Sequence, residues 1–194
     1  MGKDKKRGLF EKKEYIWLGL FLLIGFFSLI FFDSAAADMF ASIQTSFLSM
    51  LLSIFKPMSI IVLFGVLAVM ILWKEHRRKL IWPFACSLII SSILSFVIKF
   101  YISRERPFGL AETIAFTNIK DYSFPSSHTM TIFSALPILD RELRRFKWVW
   151  IAIACLIALS RLYFGAHYLS DVIFGGIFGY VIGKLVLAIT ERRK

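Results

Sequence analysis

Six apolar runs fill most of this 194-residue chain, and they leave few architectures open. They cover about Tyr15–Phe32, Pro57–Trp73, Leu80–Ile98, Thr129–Leu139, Trp148–Leu162 and Val172–Ile189. The first three and the last approach the roughly 20 residues that a membrane-crossing helix needs, while the fourth and fifth are short. With 58% hydrophobic residues and 21 Phe, a soluble domain of this length would lack the interior to hide its side chains. A bilayer supplies an apolar exterior instead. The expected fold is all-α: an integral membrane bundle of six transmembrane helices over residues 15–190. A basic tail at 1–14 and a short tail at 191–194 flank it.

The cations fall between the runs in an alternating pattern. Lys3, Lys5, Lys6, Arg7, Lys12 and Lys13 precede the first run. Lys74, Arg77, Arg78 and Lys79 follow the second; Arg141, Arg144, Arg145 and Lys147 follow the fourth; Arg192, Arg193 and Lys194 close the chain. One face thus carries 17 of the 24 Lys and Arg. Basic residues in short loops stay cytoplasmic, so both termini are expected inside, in a multi-pass protein of the cell membrane. Tyr15, Trp17, Trp73, Trp82, Trp148 and Trp150 lie near run ends, as an aromatic belt requires. The formal charge of +11 is therefore juxtamembrane, and nucleic acid is excluded as a partner. Cys86 and Cys155 sit inside apolar runs without zinc spacing and behave as small hydrophobes.

Between the first two runs, Met39, Phe40, Ile43, Phe47, Met50, Leu51 and Ile54 recur at helical spacing among polar residues. This predicts one amphipathic helix over Asp38–Phe55, either in the membrane interface or packed on the bundle. The basic start, the apolar run and Ala35-Ala36-Ala37 also resemble a secretory signal. A run of 18 residues exceeds the usual signal core, so a retained first helix is expected.

Polar residues at the membrane borders are functional candidates by default, because charge near hydrocarbon costs a few kcal/mol. Three stretches concentrate them on the face with few basic residues: Lys99-x6-Arg106-Pro107, Pro125-Ser126-Ser127-His128, and Ser160-Arg161-x5-His167-x3-Asp171. Lys99 and Arg104 could simply snorkel to headgroups. The Arg106-Pro107 pair tips the balance toward phosphate, for which Arg offers a bidentate fork and Lys a point charge. Ser126 is a suitable N-cap, and backbone N–H groups at a helix start point toward an anion placed there. His167 and Asp171 stand four apart, so on a helix the carboxylate could take a proton from one ring nitrogen and leave the other as a nucleophile.

Together these groups suit in-line phosphoryl transfer. Three cations gather the charge on the equatorial oxygens, His167 attacks phosphorus, and His128 protonates the leaving oxygen. Neither a metal nor another cofactor is called for by this set.

The three stretches, in this order, resemble the motifs of the type 2 phosphatidic acid phosphatase family, similar in its core to vanadium haloperoxidases. The resemblance covers about Lys99–Asp171. It implies that Lys99, Arg106, Ser126 and Arg161 bind phosphate, with Ser127 beside them where the family usually has Gly. It implies His128 as acid, His167 with Asp171 as nucleophile pair, and a membrane lipid phosphate as substrate. Small members act on undecaprenyl diphosphate or on phosphatidylglycerophosphate, and the sequence does not separate a polyprenyl tail from a diacylglycerol. A non-enzymatic lipid-phosphate transporter is the alternative class; loss of His167 or Asp171 would mark it, and both are present. A haloperoxidase is disfavoured by the six apolar runs.

Overall fold

The computed structural model describes residues 12–109, 112–113 and 120–192. The basic residues at 3–7 and the last two cations, on which part of the orientation argument rests, lie outside these. Eight α-helices are described: α1 (Lys12–Phe27), α2 (Asp33–Ser42), α3 (Ser46–Ser53), α4 (Ser59–Lys74), α5 (Ile81–Ile102), α6 (Ser127–Glu142), α7 (Lys147–Tyr163) and α8 (Leu169–Arg192). A two-residue antiparallel pair, β1 (Glu112–Thr113) and β2 (Lys120–Asp121), interrupts the α5–α6 connection. The described residues are otherwise mostly helical, as expected. Three helical stretches, at Arg78–Ile102, Arg144–Tyr163 and Leu169–Arg192, are individually long and apolar enough to cross a membrane, and α2 with α3 could form a bent fourth. α4 is apolar but shorter.

The expected single amphipathic helix over Asp38–Phe55 is instead two helices that meet at 112°. The break has a local cause. Thr45 is extended (φ −129°, ψ 155°), and its hydroxyl accepts the Leu48 N–H, capping a new helix where the old one would have continued. Upstream, α1 passes through a π-helical turn at Ser28–Phe32 before α2 begins at Asp33. That extra residue per turn rotates Asp33 into the protein, where it is buried.

α6 is held between α5 and α8 by two stripes of small residues at four-residue spacing. On α5, Ser87, Ser91 and Ser95 are fully buried, and Lys99 continues the same stripe one turn later. Ser91 donates to Ser134 of α6 at 3.0 Å, and Ser92 meets Thr131 at 3.0 Å. On α8, Gly175, Gly179 and Gly183 face the α6 backbone at Ser126, Met130 and Ser134. A Cβ on Gly175 would lie 3.0 Å from the Ser126 carbonyl oxygen; one on Gly179 would lie 2.9 Å from the Met130 carbonyl carbon, with its oxygen nearer still. Inside a membrane, where apolar burial does not drive helices together, such close backbone approach and interhelical hydroxyl bonds do.

The main core cluster joins Phe64, Leu72, Phe84, Ile132, Leu139, Leu143, Trp150 and Ile157 from α4 to α7. Large apolar side chains elsewhere point outward, among them Trp17, Phe31, Val62, Trp82, Ile93 and Trp148, as lipid-facing surfaces do.

Candidate active site

Helix direction alternates through the bundle, so the C-termini of α5 and α7 share one end with the N-termini of α6 and α8. All the residues singled out in the sequence lie at that end. Lys99 (3% exposed), Arg106 (5%), Arg161 (4%) and His167 (4%) are buried, and Asp171 is fully so. His128 belongs with them: Arg161, Lys99, Arg106 and His167 all lie close enough to bear electrostatically on its ring. Its Nε2 is buried with no hydrogen-bond partner among the described residues. Such a nitrogen costs about 1–3 kcal/mol unless something it binds satisfies it.

Asp121 of β2 bridges two of the cations. Its carboxylate lies 2.9 Å from Lys99 Nζ and 2.8 Å from Arg106 Nη2. Lys99 also donates to the Tyr122 carbonyl, and Arg106 to the carbonyl of Ala166 at 2.7 Å. Arg161 reaches from α7 to the Lys56 carbonyl at 2.8 Å. Nearby, the Tyr163 hydroxyl accepts the Thr45 N–H at 2.9 Å and meets Ser49 Oγ at 3.0 Å, and Gln44 donates to the Tyr163 carbonyl at 2.6 Å. The α2–α3 elbow is thereby latched beside Arg161.

Ser126 is buried at the N-cap of α6 (φ −68°, ψ 107°), with Ser127 as the first helical residue. The Ser126 N–H donates to the Asp171 carbonyl at 3.1 Å, and its hydroxyl accepts from Thr129 at 3.1 Å. This ties the start of α6 to the start of α8.

The His167–Asp171 relation differs from the one that their spacing suggests. His167 Nδ1 lies 2.7 Å from the Ser123 carbonyl oxygen and 3.7 Å from Asp171 Oδ2. The second distance is too long for a hydrogen bond. A carbonyl only accepts, so Nδ1 carries the proton and Nε2 keeps the lone pair. Asp171 acts on both flanks instead: its Oδ2 accepts the Ser123 hydroxyl and the Tyr168 N–H, the latter at 2.8 Å. The reason is local, because α8 begins at Leu169 and His167 precedes it. Burial pushes the imidazole down to about 4; Asp171 works the other way, and Lys99 and Arg106 add to the burial effect. The ring is accordingly neutral near pH 7.

Arg104 does not snorkel. Its Nη1 donates to Asp171 Oδ1 at 2.6 Å and to Ser170 Oγ at 2.8 Å, and its Nη2 to Asp33 Oδ2 at 2.6 Å. The guanidinium stacks over the Tyr168 ring at 4.1 Å. Sequence reasoning passed over Asp33, Asp121 and Ser123 altogether. Asp33 carried one signal, a carboxylate directly after an apolar run.

The arrangement combines a neutral imidazole with one nitrogen left free, a second histidine and three cations at one end of a membrane bundle. The sequence profile of the PAP2 superfamily matches residues 80–194. A Sulfolobus acidocaldarius protein named undecaprenyl-diphosphatase is 32% identical over 129 residues, 64% of this chain and 61% of that one. Bacillus subtilis phosphatidylglycerophosphatase B is 30% identical over 113 residues, 53% and 54% of the two chains. The chain thus matches somewhat over half the length of these curated relatives. Among solved structures, the Bacillus subtilis transmembrane PAP2-type phosphatidylglycerolphosphate phosphatase aligns with a TM-score of 0.71 at 21% identity. That alignment covers 92% of this chain and 96% of the other, and the likeness is one of fold.

Proposed function

Because this chain belongs to the PAP2 superfamily, we propose that it is an integral membrane phosphatase of lipid phosphates or diphosphates. The observation that carries this is the tautomer of His167: its Nδ1 is committed to the Ser123 carbonyl, which leaves Nε2 as a lone-pair nucleophile in a cationic pocket. Lys99, Arg106 and Arg161, with the backbone at Ser126 and Ser127, hold the phosphoryl oxygens. His167 Nε2 forms a bond to phosphorus as the bond to the lipid oxygen breaks, and His128 gives that oxygen its proton. Water, deprotonated by His128, then attacks phosphorus; the N–P bond breaks and inorganic phosphate leaves. Asp121 must yield Lys99 and Arg106 to the incoming phosphate.

The bundle crosses the membrane six times, with both termini cytoplasmic and the site open to the outer leaflet; the alternation of basic connections supports this. Undecaprenyl diphosphate is the favoured substrate, in line with the name of the Sulfolobus relative. The Bacillus relative favours phosphatidylglycerophosphate as the second candidate, with phosphatidic acid of the same class. The test is phosphate release from these three lipids by purified protein in detergent. Wild type is expected to turn over the diphosphate fastest, vanadate to inhibit, and EDTA to have no effect. His167→Ala is expected to lose all turnover while still inserting and folding. Normal release by His167→Ala would refute the mechanism, and release from none of the lipids would refute the function.

A further inference from the structure

The bonds around Arg104 form a chain from the first span to the nucleophile. Both oxygens of Asp33 are occupied: Oδ1 takes the Ser28 hydroxyl at 3.0 Å and the Ser170 N–H at 2.9 Å, and Oδ2 takes Arg104 and the Ser170 hydroxyl. The side chains of Asp33 and Asp171 are 7% and 0% exposed, so neither carboxylate can turn to water instead. Arg104 therefore has one place to be, and Asp171 Oδ1 has one charged partner.

We infer that Arg104, anchored by Asp33, is a positioning residue: it holds Asp171 against Ser123 and Tyr168, and the Ser123 carbonyl in turn fixes the His167 ring with Nε2 as the free nitrogen. The role rests on the phosphatase reading, but its readout does not. Asp171 Oδ2 stands 3.7 Å from Nδ1, roughly 1 Å beyond a charge-assisted hydrogen bond. Releasing Oδ1 lets the carboxylate close that gap, and a carboxylate in contact stabilises an imidazolium. A ring drawn from the Ser123 carbonyl toward Asp171 also takes Nε2 out of line with phosphorus. The other charged and titratable groups around His167 are Lys99 from α5 and Arg106 from the α5–α6 connection, which Asp121 bridges, and His128 from α6, which Arg161 from α7 faces in turn. The cations there oppose ring protonation, and Asp171 is the carboxylate nearest the ring. An ordinary exposed ion pair contributes at most about 1 kcal/mol and would leave the ring unaffected.

The chain contains three histidines, so 15N-histidine labelling in detergent micelles gives a spectrum that His167→Gln assigns by subtraction. In Arg104→Gln, the His167 titration midpoint is expected to rise by about one pH unit or more. The acidic limb of kcat/KM should move with it, kcat should fall at least about tenfold with KM nearly unchanged, and Arg104→Lys should recover part of the loss. Should Arg104→Gln not fold, Asp33→Asn takes its place, with a smaller rise in the same direction. A folded variant whose His167 titration stays within about 0.3 of wild type overturns the inference, whatever its activity. A titration that moves, in a protein that releases phosphate from none of the lipids, upholds the positioning of Asp171 and refutes the phosphatase reading instead.

Discussion

Replacing Gly179 with Ala adds one methyl group at the tightest part of the α6–α8 contact. Its Cβ would stand 2.9 Å from the Met130 carbonyl carbon and 3.1 Å from the Ser134 nitrogen, with the Met130 oxygen nearer still. Optimal carbon contacts lie at about 3.5–4.0 Å, so the helices must part by roughly 1 Å at this level. Backbone cannot rotate away as a side chain can. Met130 is half a turn from His128, whereas His167 and Asp171 are tied to the start of α8, so the displacement falls between the two histidines. A 1 Å misplacement of reacting groups costs on the order of 100-fold in rate. The expected result is a kcat about two orders of magnitude lower, with an apparent melting temperature reduced by lost α6–α8 packing. Gly19→Ala in α1, where nothing lies within 4 Å, is the matched control. There the substitution should leave turnover intact and favour the helix by up to about 1 kcal/mol. Kinetics of lipid-phosphate release and thermal unfolding in the same detergent read both effects. Wild-type kcat and melting in Gly179→Ala would refute the claim that these glycines set the distance between the histidines.

Stability should depend on pH through His167. Its folded value of about 4 lies below the unfolded value of about 6.5, so the unfolded chain binds the extra proton between them. The contribution is fully present above pH 6.5 and is lost as pH falls toward 4, reaching about 3 kcal/mol at the limit. His167→Gln should flatten the melting curve in that window, and an unchanged slope would contradict it. Sidedness is tested with single cysteines at the exposed positions Lys120 and Lys79, after Cys86 and Cys155 are replaced by Ala. On intact cells an impermeant thiol reagent should label position 120 and spare 79, and the reverse would place the site in the cytoplasm.

What the sequence could and could not disclose follows from the range over which each rule acts. Apolar runs and basic connections are local signals, and they placed helices close to where α1, α4, α5, α6, α7 and α8 lie. The three polar stretches were legible because each borders such a run. The α2–α3 elbow was missed because hydrophobic periodicity continues through Ile43–Thr45, while one capping hydroxyl on Thr45 redirects the chain. The His167–Asp171 spacing brings the two side chains to 3.7 Å but not to a hydrogen bond, because α8 starts after the histidine and the pair does not share a helical turn. Arg104 and Arg106 are two residues apart and identical in type, and no local pattern distinguishes the one that turns to Asp171 from the one that turns to Asp121. What separates them is Asp33, which is 71 residues from Arg104 and 137 from Ser170 and comes into range only after a π turn rotates it inward. The candidate catalytic groups thus belong to motifs, while the residues that bond to them belong to the assembled bundle. A change between α1 and α2 that removes that turn should therefore register at His167 without touching any motif.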